Sequence, residues 1–222
     1  IYTGEDTLSL HDALPISDTS GGGNHGFVSN TVWSSSGRLN GCLAFNGVNS
    51  LVQTTNRLAN DFTIAFWVKT TQVTGGSQWY QGPGLVDADL PFNNNDFGTA
   101  LVSGKFAFGV GNPDTTILST TAINNGVWHH CVATRQQATG VIKVYVDGQL
   151  QATGTANRNT LSAPTRLLFG VTGGKYFNGS LDEVKLFTRA LEGNEVTALY
   201  ASTMNPPTTA PSNLTAVAAN TR

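Results

Sequence analysis

The stretch SDTSGGGN, residues 17–24, offers many oxygen atoms to a cation near the start of the chain. Asp18, Ser20 and Asn24 supply carboxylate, hydroxyl and amide oxygens, and the glycines allow backbone carbonyls to turn toward a common point. Calcium binds about six to eight oxygens of these kinds. The stretch therefore predicts a calcium site with Asp18 and Asn24 among its ligands.

A second carboxylate that needs a partner lies in SLDEVKLF, near the end of the strand-like part of the chain. In a regular strand Asp182, Val184 and Leu186 share one face. Because two of the three are apolar, we expect that face to turn inward, where a carboxylate needs a cation or hydrogen-bond donors. Two interpretations stay open: Asp182 and Asp18 share calcium, or both accept backbone N–H groups that tie the termini together.

The stretch LVDADLPFNNNDFG concentrates carboxylates and amides in about ten residues. Such groups can hold a second calcium, or line a sugar pocket because they pair with vicinal hydroxyls. They are equally typical of a solvated loop with Asx turns. The candidate sugar ligands here are Asp87, Asp89 and Asp96.

Sugar binding also needs exposed aromatic faces. Trp79 and Tyr80 lie in the Gly-rich stretch GGSQWYQGPG, and Tyr176 lies in GGKYFNG. These three are the candidate platform, to be combined with the three aspartates. The alternative is that Trp79 and Tyr80 cover the open end of the fold as a small satellite core. The other tryptophans are expected to pack internally: Trp33, Trp67 and Trp128.

No residue pattern here is typical of catalysis. Glycoside hydrolysis needs two carboxylates that face each other across a cleft. Asp182 and Glu183 are adjacent, so a strand would point them to opposite faces. Asp87 and Asp89 lie in a loop-like stretch, and His129 and His130 are expected to make structural hydrogen bonds. We therefore predict no catalytic residue.

Short β-like runs separated by Gly, Asn and Asp fill the chain from residue 17 to 203. FTIAFWVKT alternates strictly, Ser103-Gly104 and Asp147-Gly148 are hairpin signals, and Asn46-Gly47 separates two further strands. One short helix is expected where Asn194 can cap it and Val196, Leu199 and Tyr200 can pack down. This spacing predicts an all-β, two-sheet antiparallel jelly-roll sandwich.

Both ends of the chain differ from this pattern. Residues 1–16 back-translate into one frame of a common short-read sequencing adapter, so we expect them to be a cloning artefact without stable packing. Residues 204–211 read as a Pro/Thr-rich linker. Residues 212–222 resemble the first strand of a fibronectin type III domain that is cut short.

Composition excludes several classes of partner. Without residues 1–16 the chain has twelve basic and eleven acidic residues, which gives no footprint for nucleic acid. No apolar run is long enough to span a membrane. Cys42 and Cys131 are two cysteines in strand-like runs, and either burial or a disulfide fits them.

Six phrases occur in an order that resembles the laminin-G-like jelly-roll domains of secreted bacterial proteins, in the concanavalin A-like superfamily. They are DTSGGGNHG, LAFNGVNSLVQT, DFTIAFWVKT, GVWHHCVATR, IKVYVDGQLQATGT and FNGSLDEVKLFTRALEGNEVTALY. The resemblance implies the jelly-roll fold and a structural calcium between the first turn and the last strand, held by Asp18, Asn24 and Asp182. Asn46 stands where the family phrase has Asp, which weakens any site that uses that side chain.

The resemblance implies a class of function more loosely, because one fold hosts many functions. We expect a non-catalytic, calcium-stabilised module that binds a polysaccharide or glycan, monomeric within a longer secreted bacterial protein. The alternative is a structural or adhesive spacer that binds protein or nothing. A glycoside hydrolase is disfavoured because the carboxylate pair is missing.

Overall fold

The computed structural model describes residues 16–20, 22–92, 94–161 and 164–204. Residues 1–15 and 205–222, and with them most of the adapter segment, the linker and the fibronectin-like start, lie outside the described residues. Ile16 exchanges two backbone hydrogen bonds with Gly26, at 2.8 and 2.9 Å. Backbone pairing therefore includes Ile16, one residue before the predicted domain boundary.

Sixteen strands and one α-helix make up the regular structure of the described residues. In chain order they are β1 (Phe27–Ser29), β2 (Val32–Ser34), β3 (Cys42–Asn46), β4 (Leu51–Thr55), β5 (Phe62–Lys69), β6 (Gly84–Asp87), β7 (Phe97–Val102), β8 (Lys105–Val110), β9 (Thr115–Ala122), β10 (His129–Gln136), β11 (Val141–Val146), β12 (Gln149–Thr155), β13 (Arg166–Phe169), β14 (Val171–Thr172), β15 (Lys175–Tyr176), β16 (Asn178–Phe187) and α1 (Gly193–Met204). A short 3-10 helix, Trp79–Gln81, precedes β6.

The strands form two seven-stranded antiparallel sheets and one small hairpin. Sheet I has the order β1-β4-β13-β6-β7-β8-β9, and sheet II has the order β12-β11-β10-β5-β16-β3-β2. The hairpin pairs β14 with β15. The jelly-roll sandwich expected from the sequence is confirmed.

The hairpin signals behave as the sequence indicated, with one difference. Ser103-Gly104 and Asp147-Gly148 have positive φ at both positions, the geometry of tight β-hairpin turns. The turn after Asn46 instead carries the chain from sheet II to sheet I. The Asn46 amide oxygen accepts backbone N–H groups from Val48, Asn49 and Ser50 at 2.9 to 3.2 Å, which closes this crossing.

The main core lies between the sheets, and β5 shows how it is built. Phe62, Ile64, Phe66 and Val68 are fully buried in this core, as the alternation predicted. The opposite face of β5 is also buried, because α1 lies on it. Its Trp67 donates from Nε1 to the Thr203 hydroxyl at 3.1 Å.

The packing shows the state of the two cysteines and the contacts of the two neighbouring histidines. Cys42 and Cys131 are both buried and free. His129 bonds Asp147 at 2.8 Å and Asn125 at 3.0 Å, the structural role expected of it. His130 differs, because its ring stacks with Trp67 and the Tyr200 of α1 and its Nδ1 has no partner in the described residues.

The burial of His130 predicts that acid destabilises the domain. Burial, followed by the charge of Lys185, lowers the pKa of His130 to about 4. The unfolded chain binds a proton near pH 6.5 and the folded one does not, so stability falls as pH drops from about 6.5 to 4, by on the order of 2–3 kcal/mol.

Urea unfolding of the wild type and His130→Phe at pH 7.5 and pH 4.5 measures this effect. Phenylalanine keeps the stacking but cannot titrate, so the variant should lose less stability on acidification than the wild type. Equal losses would show that His130 does not control acid stability. The comparison is made between variants because buried carboxyls, discussed below, shift stability in the opposite direction.

Candidate functional site

The outer face of sheet I, turned away from the main core, carries a second layer of side chains. A pair of glycines, Gly98 in β7 and Gly109 in β8, lie directly opposite each other in the ladder. The indole of Trp79 lies over them. A Cβ at Gly109 would fall 1.9 Å from Trp79 Cδ1, and one at Gly98 would fall 2.7 Å from its Cζ3.

Trp79 is therefore a packing residue. It is 1% exposed and forms a satellite core whose buried members are Ala100, Val102 and Ala107. This is the alternative that the sequence left open, and the prediction of Trp79 as part of an exposed platform is wrong. Tyr80 packs against the edge of the same cluster at 5.8 Å from the indole centre and stays partly exposed.

The loop between β6 and β7 brings the three predicted aspartates to one end of sheet I. Asp87 is buried, and its carboxylate accepts the Thr172 hydroxyl and, at 2.6 Å, the backbone N–H of Asp89. Asp96 is also buried, and its Oδ2 accepts the N–H of Leu90 at 2.9 Å. The bond between Asp87 and the N–H of Asp89 is an Asx-turn contact, and the other two bonds tie the loop to β14 and across its own ends.

The charged form of the carboxylates in this loop is disfavoured, because several of them lie close together and are partly shielded from water. Burial raises the pKa of Asp87 well above its ordinary value and the pKa of Asp96 to about 6, with Asp89 and Asp114 contributing to the latter. Burial also raises the pKa of Asp89, while Lys175 lowers it. Lys175 is the cation that faces this group of acids.

Lys175 connects the acidic loop to the predicted tyrosines. Its ammonium donates to the Tyr80 carbonyl at 3.2 Å. A Cβ at Gly173 would lie 3.4 Å from Lys175 Nζ and 4.0 Å from Asp89 Oδ2, so the cation and the carboxylate flank the same small space. Tyr176 is partly exposed in β15, the strand that also carries Lys175.

Sequence reasoning missed Phe92, an aromatic residue in the same loop. Its side chain is 98% exposed, and its backbone adopts φ +76°. A bulky residue with positive φ is a genuine outlier, and such strain is concentrated at functional sites. The signal in the sequence was an aromatic residue between two acidic positions, Asp89 and Asp96.

The structure brings the predicted metal ligands Asp18 and Asn24 together, but within the described residues no hydrogen bond joins either of them to Asp182. Asp182 lies opposite Trp67 in the ladder, on the face away from the core, because a bulge in β16 after it breaks the alternation. Its carboxylate accepts backbone N–H groups from Arg38 at 2.7 Å, Leu39 at 3.0 Å and Glu183 at 2.8 Å. The expectation that Asp182 points into the core is wrong.

Asp18 and Asn24 have a different set of partners. The Asp18 carboxylate accepts the backbone N–H groups of Ser20 at 2.8 Å and Asn24 at 3.0 Å. Bonds from the Ser20 side chain and from these backbone groups lower the pKa of Asp18 to about 2. The Asn24 amide oxygen accepts the guanidinium of Arg57.

In the described residues the carboxylates of Asp18 and Asp182 both accept backbone N–H groups, which is the alternative that the sequence left open. Within the described ranges, no three His, Cys, Asp or Glu side chains are grouped as a metal would require. Calcium binding stays a prediction.

Two open depressions lie elsewhere on the described surface. One, of about 500 Å³, includes a single carboxylate, Asp61, and the other, of about 260 Å³ on sheet II, includes none. Neither holds a facing carboxylate pair. Trp33 also differs from expectation, because it is 68% exposed at the edge of sheet II.

Comparison with known families identifies the fold independently. Residues 46–197 match the model of a family described as the Concanavalin A-like lectin/glucanases superfamily. A search of curated protein sequences finds no match. None of the helical segments within the described residues has the length and apolarity to cross a membrane.

Three solved structures of similar fold are binding domains or a domain of an enzyme. The binding domain of Paraclostridial Mosquitocidal Protein 1 has a TM-score of 0.71 at 19% identity, over 85% of this chain and 49% of that one. Domain 4 of AbnA, a GH43 extracellular arabinanase from Geobacillus stearothermophilus, in complex with arabinotriose, has 0.69 at 20%, over 83% and 92%. The binding domain of Botulinum Neurotoxin DC in complex with SialylT has 0.67 at 17%, over 84% and 48%.

These similarities show the fold of this chain. The share of each similar structure that the chain covers differs among the three. The chain spans about half the length of the two toxin binding domains. It spans 92% of the arabinanase domain, which is therefore the similar structure of comparable size.

The close packing of the Trp79 indole on Gly98 and Gly109 predicts that a larger side chain at Gly109 destabilises the domain. In Gly109→Ala the added methyl group collides with the indole, so we expect destabilisation by about 1–3 kcal/mol and a change in tryptophan fluorescence. Urea unfolding with fluorescence detection measures both. Gly75→Ala is the control, because a Cβ there has nothing within 4 Å; a Gly109→Ala variant as stable as this control would contradict the packing.

Proposed function

This chain belongs to the concanavalin A-like lectin/glucanases superfamily, and from that membership we propose that it is a non-catalytic carbohydrate-binding module of a secreted bacterial multidomain protein. The proposal is supported by similar domains that were solved with arabinotriose and with SialylT. The arabinanase is described as extracellular, which supports secretion. We further propose that the module is monomeric within its chain.

The observation that carries the proposal is the exposed aromatic side chain of Phe92 in the acidic loop. Pyranose and furanose rings present C–H patches that pack on aromatic faces, while their hydroxyls bond neighbouring polar groups. Asp89 can accept hydroxyl protons, and Lys175 can donate to hydroxyl oxygens beside Tyr80. The end of sheet I thus offers the three kinds of contact that a glycan needs.

The mechanism of such a module is passive. It would hold a neighbouring domain on a polysaccharide and so raise the effective concentration of that domain's target. No step of bond cleavage is part of this proposal, because the sequence offers no pair of carboxylates on one strand face of the kind that glycoside hydrolysis uses.

The alternative function is a structural or adhesive spacer, and the burial of Trp79 favours it. An indole packed on Gly98 and Gly109 is not available for stacking on a sugar. Phe92 and Tyr80 remain as accessible aromatic residues, and the experiment below separates the two functions.

Binding of the whole chain to a panel that includes arabinan, xylan, cellulose and amylose tests the proposal. We expect retention on at least one neutral polymer and a loss of about fivefold or more in Phe92→Ala, since burying an aromatic ring against a ligand contributes 1 kcal/mol or more. Phe92 is 98% exposed, so the substitution should not unfold the domain.

Trp33→Ala is the matched control, because Trp33 is exposed but lies at the edge of sheet II. Equal losses in both variants would show non-specific adhesion of exposed aromatic residues. A folded chain that is retained on no polymer would support the spacer function instead.

Calcium is tested separately by thermal unfolding in calcium and in chelator. The calcium hypothesis predicts that chelator lowers the melting temperature of the wild type by several degrees and leaves that of Asp18→Asn unchanged. Equal melting temperatures of the wild type in the two buffers would remove calcium from the proposal.

A further inference from the structure

The smaller depression, of about 260 Å³, lies on the outer face of sheet II. Helix α1 covers another part of this face, through Trp67, Thr203 and Val196. The depression is lined by hydroxyl, amide and ammonium side chains together with two glycines: Ser34, Ser36, Lys69, Thr70, Thr71, Gly126, Asn178, Gly179 and Ser180.

Lys69 is the charged residue of this depression. It is the last residue of β5, it is exposed, and it lies directly opposite Ser180 in the ladder between β5 and β16. Within the described part of the chain no carboxylate forms an ion pair with it. Its ammonium therefore remains free to bind an anionic group.

Hydroxyl side chains line the same depression as Lys69. The Ser34 oxygen accepts the N–H of Ser36 at 3.2 Å, which leaves its own proton free to donate. In the described residues the Ser180 hydroxyl makes no hydrogen bond with the protein, whereas the Thr70 hydroxyl donates to the Asn178 carbonyl at 2.6 Å. An anionic oxygen group at this point would receive one charged and at least two neutral hydrogen bonds.

Trp128 adds an aromatic surface on the same side of the sheet. His129 pairs with Val68 in the ladder of β10 and β5, so the preceding residue, Trp128, comes opposite Lys69. The indole is only partly buried. Trp128 is not among the residues that line the depression, but an aromatic ring on the same side of the sheet can pack on a sugar ring that extends beyond it.

The opposite end of the molecule could not take such a ligand. There burial raises the pKa of Asp87, Asp89 and Asp96, neighbouring carboxylates add to this, and Lys175 is a cation close enough to lower the pKa of Asp89. An anionic ligand would be repelled by these carboxylates and attracted to Lys69. The two surfaces therefore select ligands of different charge.

We propose that the depression around Lys69 binds an anionic saccharide unit, a uronate or a sulfated sugar, as a second site distinct from the acidic loop. This inference rests on the proposed function only because its ligand is also a saccharide. None of the residues that line the depression belongs to the acidic loop site. A uronate and a sulfated sugar both present an anionic oxygen group on a ring that also bears hydroxyls.

Affinity electrophoresis of the whole chain in native gels that contain polygalacturonate, dextran sulfate or neutral dextran tests this inference. We expect one of the two polyanions to retard the wild type, and which one does so identifies a carboxylate or a sulfate. Lys69→Gln should weaken the retardation about tenfold, because a charge-assisted bond is lost. Lys69→Arg should retain it.

Lys143→Gln is the matched control, since Lys143 lies on the same sheet, in β11, outside the depression. Equal weakening in Lys69→Gln and Lys143→Gln would show non-specific attraction to polyanions and overturn the inference. Retardation by neither polyanion, or equal retardation by neutral dextran, would also overturn it. Phe92→Ala should leave polyanion binding unchanged, so failure of this site and failure of the proposed function are distinguishable.

Discussion

Each sheet of this sandwich has to bury two faces, and the rest of the structure depends on that constraint. The inner faces meet in the main core, but apolar residues on the outer faces also need a cover. On sheet II the cover is α1, held by Val196 and by the bond between Trp67 and Thr203. On sheet I it is the loop that lays Trp79 on Gly98 and Gly109.

These covers decide which surfaces remain available for a ligand. On sheet I the covering residue is Trp79, which the sequence suggested as part of a sugar platform and which is buried. The acidic loop with the exposed Phe92 lies outside this cover. The cover on sheet II leaves the depression around Lys69 open. The acidic loop and the depression around Lys69 carry side chains of opposite charge.

The loops between strands are fixed by side-chain oxygens that accept backbone N–H groups. Asp182 accepts three such groups, Asp18 accepts two, and Asn46 closes the crossing between the sheets. The residue types that suggest a calcium site are the same ones that satisfy orphan backbone donors. Composition and spacing alone cannot separate these roles, because both need oxygen atoms in tight turns.

Local sequence patterns predict the elements of the fold: the two-residue periodicity of β5, the hairpin turns at Ser103-Gly104 and Asp147-Gly148, and the short apolar face of α1. These are local properties, set by side-chain alternation and by the few residues that tolerate positive φ. The role of each aromatic and acidic side chain depends instead on how the sheets, loops and helix pack together. Exposure depends on what a distant segment covers, so Trp79 is buried and Phe92 is exposed for reasons that no local pattern contains.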